Sequence, residues 1–340
     1  MRSALVQPAS VVLSLKRQNI QHYGTSVRLI SMATQTELTH RQHKLSQWHL
    51  RNFTNANGDL WCYRPNVPAK LRRPKSVCWE FDFYEYELNG YTTRNEYECW
   101  FGRIEDDAAT RCPAILNRQR LGQKDAAAWA TYVASLFIRS SKCRDHIISS
   151  ATPKFREETR SPDFIRNLQH NLLKKGMLMP ADELRQFVES RRANMEGSAS
   201  YYHLAAIKET ASSLADALMR KTWHTLEAAP GLVFVLGDCP VSTVEFVGNQ
   251  VLHGAGFNNE NAAILLPLTP QHVFVASPPG RQWRSVMQLE QVAPVNLLSI
   301  RYAKDVVLSS VNAPETQALV NAEINQVVFG RDAFIPPCRN

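Results

Sequence analysis

The hydrophobic period of this chain changes twice, and that order rules out most architectures. Residues 60–63 and 77–86 are short segments dense in Trp61, Tyr63, Trp79, Phe81, Phe83, Tyr84 and Tyr86. Aromatic residues in short runs bounded by turn residues predict strands. From Asn95 to about Ala228 the apolar residues return at helical spacing. Examples are Tyr132 and Leu136 in a helix expected over Asp125–Cys143, then Leu204, Ile207, Ala211, Leu214, Leu218 and Leu226 in one expected over Tyr201–Glu227. After Pro230 come continuous apolar runs at Leu232–Leu236, Val241–Phe246, Ala262–Leu266 and His272–Ala276, which read as buried strands. Val286–Ala303 and Glu315–Gln326 read as helices, with Val306–Ser309 a strand between them. Runs of one element type, rather than strict alternation, predict an α+β fold. The expected parts are a small N-terminal β element, a central helical bundle and a C-terminal, mainly antiparallel sheet with flanking helices.

The expected domain organisation is a leader or non-native extension over 1–36 and a single α+β domain over 37–330. Within that domain the β part covers about 37–94, the helical part 95–229 and the β/α part 230–330. Residues 1–36 hold Arg2, Lys16, Arg17 and Arg28 and no acid, so they supply +4 of the formal net charge of +8. The other +4 is spread over the remaining chain, which is a weak field for a nucleic-acid partner. One dense basic run, Lys70 to Lys75, follows Pro65 and Pro68 and reads as a solvated loop.

No stretch approaches the ~18–20 apolar residues that cross a bilayer, so no membrane partner is expected. The seven cysteines contain no Cys-x-x-Cys, which argues against a zinc ribbon or a disulfide framework. Scattered thiols of this kind fit a reducing cytoplasm. With 14 glycines in 340 residues, the chain has no phosphate-binding loop and no Gly-x-Gly-x-x-Gly. It lacks a Gly-x-Ser-x-Gly elbow and a His-Glu-x-x-His helix as well.

Several polar residues remain. Glu98 and Glu105 are seven apart, so on a helix they share a face about 10 Å apart. Two such carboxylates could hold a divalent cation such as Mg²⁺ or Mn²⁺ with a third ligand, for which Asp238 is the candidate. Without a cation they form a solvated acidic face. Arg139 ends an apolar helix and is expected either to clamp an anionic group or to pair, buried, with a carboxylate of the Glu98/Glu105 helix. Six residues separate it from His146, which is similar to the Arg–His spacing of HEPN-type ribonucleases. Asp238 follows an apolar strand within Gly-Asp-Cys-Pro. That position suits chemistry, and it equally suits a carboxylate that satisfies backbone N–H groups in a turn. His40, His43 and His49 stand close together. His40 and His43 could share a helical face, although half-buried histidines with no ligand fit as well.

His43-Lys-Leu-Ser-Gln-Trp-His-Leu-Arg-Asn-Phe53 resembles the opening signature His-Tyr-Val-Pro-x-x-Tyr-Leu-x-x-Phe of a bacterial family, domain of unknown function 4238. His43, Leu50 and Phe53 match, whereas Lys44, Ser46 and His49 depart from it. The paired Glu98 and Glu105, Arg139, Asp238-Cys-Pro240, Pro267-Leu-Thr-Pro270 and Asn296 follow in the family's order. The resemblance implies that 1–36 lie outside the domain. It also implies that His43, Glu98, Glu105, Arg139 and Asp238 serve one purpose. Two readings stay open. One is a hydrolase acting on an anionic substrate such as nucleic acid, in a defence or toxin setting. The other is a non-catalytic binding or structural module whose polar residues form a buried network. The oligomeric state is left open.

Overall fold

The computed structural model describes residues 40–327 and 333–335, apart from 86, 89–90, 93–95, 152–156, 158–161, 175, 177, 198 and 248–249. The leader expected over 1–36 lies outside the described residues. The fold is mixed α+β, with a small N-terminal sheet, helices in the middle and a larger sheet towards the C-terminus.

The chain opens with β1 (Arg41–His43), α1 (Gln47–Arg51), β2 (Leu60–Arg64), β3 (Val67–Arg72) and β4 (Trp79–Phe81), then the short strands β5 (Glu87–Leu88) and β6 (Tyr91–Thr92). Asn66 turns the β2–β3 hairpin at φ +58°, a left-handed conformation that Asn tolerates. The helices follow: α2 (Glu96–Leu116), α3 (Gln123–Ile138), α4 (Ser141–His146), α5 (Pro162–Lys174), α6 (Ala181–Gly197) and α7 (Ala199–Met219). Next come β7 (Thr222–Ala228), β8 (Leu236–Gly237), β9 (Ser242–Val247), β10 (Gln250–His253), β11 (Ala262–Thr269), β12 (His272–Ser277) and β13 (Val286–Met287). The chain closes with α8 (Leu289–Tyr302), β14 (Val307–Ser309), α9 (Pro314–Glu323) and β15 (Ala333–Ile335).

The larger sheet runs β13-β7-β12-β11-β9-β10-β15, antiparallel except for the β13–β7 pair. Its two faces build two cores through the two-residue period of a strand. Ile264, Leu266, Phe274 and Ala276 face the helices and pack with Phe101, Trp129, Leu136, Leu204 and Leu218. Leu265, Val273 and Val275 face the other way, against Val292, Val295 and Tyr302 of α8. The N-terminal hairpin is completed by distant strands, in the order β3-β2-β14-β8. Val307 pairs with Tyr63 and Leu308 with both Cys62 and Leu236.

Several element boundaries differ from those read off the sequence. The helix expected from Tyr201 to Glu227 stops at Met219, and Thr222–Ala228 is a strand instead. Thr222 and Leu226 keep the four-residue phase of Leu214 and Leu218. Full pairing of β7 with β12 nevertheless wins over that local pattern. The helix expected from Asp125 to Cys143 breaks at Arg139, because Ser140 caps a new helix by accepting from Cys143 N at 3.2 Å. Of the strand expected over Leu232–Leu236, Leu236 alone enters a ladder, with Gly237. Asn296 takes the place of a neighbouring strand. Its Oδ1 accepts from Val235 N at 2.9 Å and its Nδ2 donates to the Val233 carbonyl at 2.8 Å. The aromatic run from Val77 is a strand only over Trp79–Phe81, after which Phe83 and Tyr84 turn into the core.

Gly237 lies against α8. A Cβ there would sit 2.6 Å from the Ser299 carbonyl and 3.1 Å from Ala303 Cβ. Gly237→Ala therefore must push α8 away from β8, and chemical denaturation should show a loss of about 1–3 kcal/mol. An unchanged midpoint would mean that this contact does not set the spacing.

Candidate functional site

Glu98 and Glu105 stand on one face of α2, as their spacing requires. Arg139 is the C-cap of α3, where a cation complements the helix dipole. Its side chain is 1% exposed and its Nη2 lies 2.6 Å from Glu105 Oε1, with Glu105 20% exposed. The guanidinium lies over the Phe101 ring, 4.8 Å from its centroid. Burial alone would lower the Arg139 pKa. Glu105, Tyr84 and Tyr132 more than offset this and hold the group charged. Neither Nε nor Nη2 makes a well-directed hydrogen bond with protein, so the contact with Glu105 is an ion pair without good hydrogen-bond alignment.

Glu98 has a different environment. Burial pushes its pKa from 4.5 up to about 7, Arg139 pulls it down, and Glu105 pushes it up. Two carboxylates that share one arginine thus have separate roles, with Glu105 as the ion-pair partner and Glu98 titrating near neutrality.

Tyr84 joins this group to His43. Its hydroxyl donates to the His43 carbonyl at 3.2 Å and accepts from Arg139, and burial raises its pKa. The His43 ring is partly buried. Burial lowers its pKa, a hydrogen bond to the Lys75 backbone raises it, and Arg41 and Arg139 lower it. Its Nε2 is buried without a partner. His43 lies beside β4 in a strand, so the helical face imagined for His40 and His43 does not exist. His40 instead bonds Asp82, 2.8 Å away, and with Glu85 forms a group whose ligand-type atoms lie within 4.8 Å of one another.

Asp238 is elsewhere in the network. It is 2% exposed, and its Oδ1 accepts from Lys304 N at 2.7 Å while Oδ2 accepts from Asp305 N at 3.0 Å. Burial raises its pKa and Lys44 lowers it. The carboxylate thus closes the turn between α8 and β14. The structure brings Glu98, Glu105 and Arg139 together, with the His43 backbone carbonyl linked through Tyr84. It does not bring Asp238 to them. The three carboxylates do not fit as one ligand set for Mg²⁺ or Mn²⁺: Glu105 is committed to Arg139, Glu98 is prone to protonation, and both Asp238 oxygens are taken by backbone N–H groups.

Among the other members Tyr132 carried no legible polar signal, and His49 stood out only as one of three neighbouring histidines. His49 is fully buried, with Nδ1 2.8 Å from Tyr132 Oη and Nε2 2.7 Å from the Pro267 carbonyl. A carbonyl can only accept, so Nε2 carries the proton and Nδ1 accepts from Tyr132. Burial lowers the His49 pKa to about 4 and keeps the ring neutral. The hydroxyls of Ser46 and Tyr132, 2.9 Å apart, complete a chain that ends on Pro267. Lys44 donates to Ser141 Oγ at 2.8 Å and faces Glu80 at 3.6 Å. All three positions at which residues 43–53 depart from the His-Tyr-Val-Pro signature are therefore buried, partnered polar residues. Among the described residues no helix is long and apolar enough to cross a membrane. The family described as Protein of unknown function (DUF4238) matches residues 41–329. No curated protein and no solved structure matches the chain.

Proposed function

The chain belongs to the DUF4238 family, and from that premise we propose that it is an acid–base hydrolase acting on an anionic substrate such as a nucleic-acid phosphodiester. The observation carrying this reading is the pairing of Glu98, raised to about 7, with a buried Arg139 held by Glu105. A carboxyl raised towards neutrality by burial is the kind of group that serves as a general acid. Arg139 Nε, buried without a hydrogen-bond partner while Nη2 stays on Glu105, donates to an oxygen of the substrate anion. Water attacks the phosphorus, the bond to the leaving oxygen breaks, and Glu98 protonates that oxygen. The proton lost by the water passes to His43 Nε2. Asp238 belongs to the fold and not to the chemistry. The site sits in a single domain over 37–330, and the setting is the cytoplasm.

The second reading is a non-catalytic module, and it is favoured by the burial of Arg139 and the satisfied carboxylate of Asp238. Turnover separates the two. The full chain is incubated with bis(p-nitrophenyl) phosphate, single-stranded RNA and single-stranded DNA across pH, with and without a chelator. The hydrolase reading expects a rate that is highest below about pH 7 and falls as Glu98 ionises. Glu98→Gln should lower the rate by about a hundredfold while the chain still unfolds cooperatively. Absence of turnover on all three substrates, or turnover indifferent to Glu98→Gln, would favour the module.

A further inference from the structure

A second site lies at the edge of the larger sheet, and it does not involve the Glu98 group. β13 pairs only with Glu227 and Ala228 of β7, so among the described residues the rest of that edge has no strand beside it. A cavity of about 450 Å³ opens there. That is within the range of about 300–1,000 Å³ typical of small-molecule sites. Its lining includes Ile115 in the last turn of α2, about 15 Å along the helix from Glu105.

The lining combines three features. Trp223, Trp283 and Phe274 supply aromatic walls, and the two indoles reach the edge from opposite faces of the sheet. Both indole N–H groups are already used, by the Leu218 carbonyl at 2.9 Å and by Ser277 Oγ at 3.1 Å, so the rings are fixed in orientation. Arg118 and Arg120 line the cavity; Arg118 is paired with Glu227 beside it at 3.4 Å, which leaves Arg120 as the cation of the lining with no ion pair among the described residues. His224, also in the lining, has its Nε2 buried without a partner.

We propose that this cavity binds a nucleotide, either free or as the phosphorylated end of a single strand. The base stacks on the indoles, His224 Nε2 meets the base edge, and the phosphate lies on Arg120 at the rim. Base–aromatic stacking beside arginine is how single-stranded nucleic acids are commonly held. An extended peptide adding to β7 fits less well. Arg118 already donates to the Thr225 carbonyl at 3.1 Å and to the Ser285 carbonyl at 3.3 Å, closing the ladder that a peptide would need.

The experiment titrates the full chain with AMP, adenosine, inorganic phosphate and a short oligonucleotide with and without a 5′-phosphate, reading tryptophan fluorescence and heat. AMP should quench saturably, with adenosine and phosphate each weaker by about tenfold or more. Arg120→Ala should weaken AMP by about tenfold and leave adenosine unchanged, because Arg120 is exposed and carries only the phosphate contact. Trp283→Leu should weaken both. Tighter binding of the 5′-phosphorylated strand than of AMP would assign the strand end, and equal binding the free nucleotide. No saturable response to AMP up to about 1 mM would overturn the proposal. So would AMP binding untouched by Arg120→Ala and Trp283→Leu.

Discussion

Glu105→Ala should lower the stability of the chain by about 3–5 kcal/mol, the cost of leaving a buried charge without its partner. That corresponds to roughly 10 °C in the thermal midpoint. Arg139 is 1% exposed and 2.6 Å from Glu105, so removing the carboxylate leaves a buried cation without its ion-pair partner. Glu98 is the remaining carboxylate coupled to Arg139, and it is the group that responds. In Glu105→Ala the repulsion from Glu105 disappears while the attraction of Arg139 persists, so the Glu98 pKa falls. Replacing both members, with Arg139→Met and Glu105→Leu, should recover most of the loss, since a buried pair exchanged for apolar volume is often neutral. The check is calorimetry of the two single variants and the double. A loss below about 1 kcal/mol in Glu105→Ala would mean that the arginine is rescued by other groups.

Asp238→Ala is the second large effect. It strips acceptors from two backbone N–H groups at once, Lys304 N and Asp305 N, which lie in the turn between α8 and β14. Each orphaned donor costs about 1–3 kcal/mol, so the expected loss is about 2–6 kcal/mol. Asp238 N also donates to the Val306 carbonyl, so the β8 and β14 ends should loosen together. Asp238→Asn keeps one acceptor oxygen and should lose about half as much. Urea denaturation with hydrogen exchange at Lys304 and Asp305 reads both quantities. Equal losses in the Ala and Asn variants would show that the charge matters and the two acceptors do not.

The candidate group was partly legible because helix geometry is periodic. A seven-residue spacing places Glu98 and Glu105 on one face wherever the helix goes, and an arginine ending an apolar helix has few buried partners besides a carboxylate. Tyr84 was not legible, because nothing local distinguishes it from the aromatic strand residues around it. Its role arises from the turn after Phe81, which brings it beside Arg139. His49 and Tyr132 meet from 83 positions apart, and the ring's other nitrogen meets Pro267 from 218 apart. Such pairings come from tertiary packing and leave no local periodic trace. The same holds for the fold. Order and class could be read from the change of period, but the sharing of one sheet by β2, β14 and β8 could not. β7 shows the opposite failure, where a helical phase was present and pairing with β12 overrode it.

The role proposed for Glu98, a proton donor near neutral pH, rests on burial raising its pKa against the pull of Arg139. Carbon-13 NMR of the Glu98 side-chain carboxyl across pH, assigned by its loss in Glu98→Gln, tests this without a substrate. The expected midpoint is near 7, against an ordinary 4.5. It also fixes the sign of the linked stability. Between those values the folded state holds a proton that the unfolded chain has released, so stability falls as pH rises through that window. Glu98→Gln should flatten that part of the stability curve. A Glu98 midpoint near 4.5, with no stability change peculiar to the Glu98 carboxyl, would contradict the account.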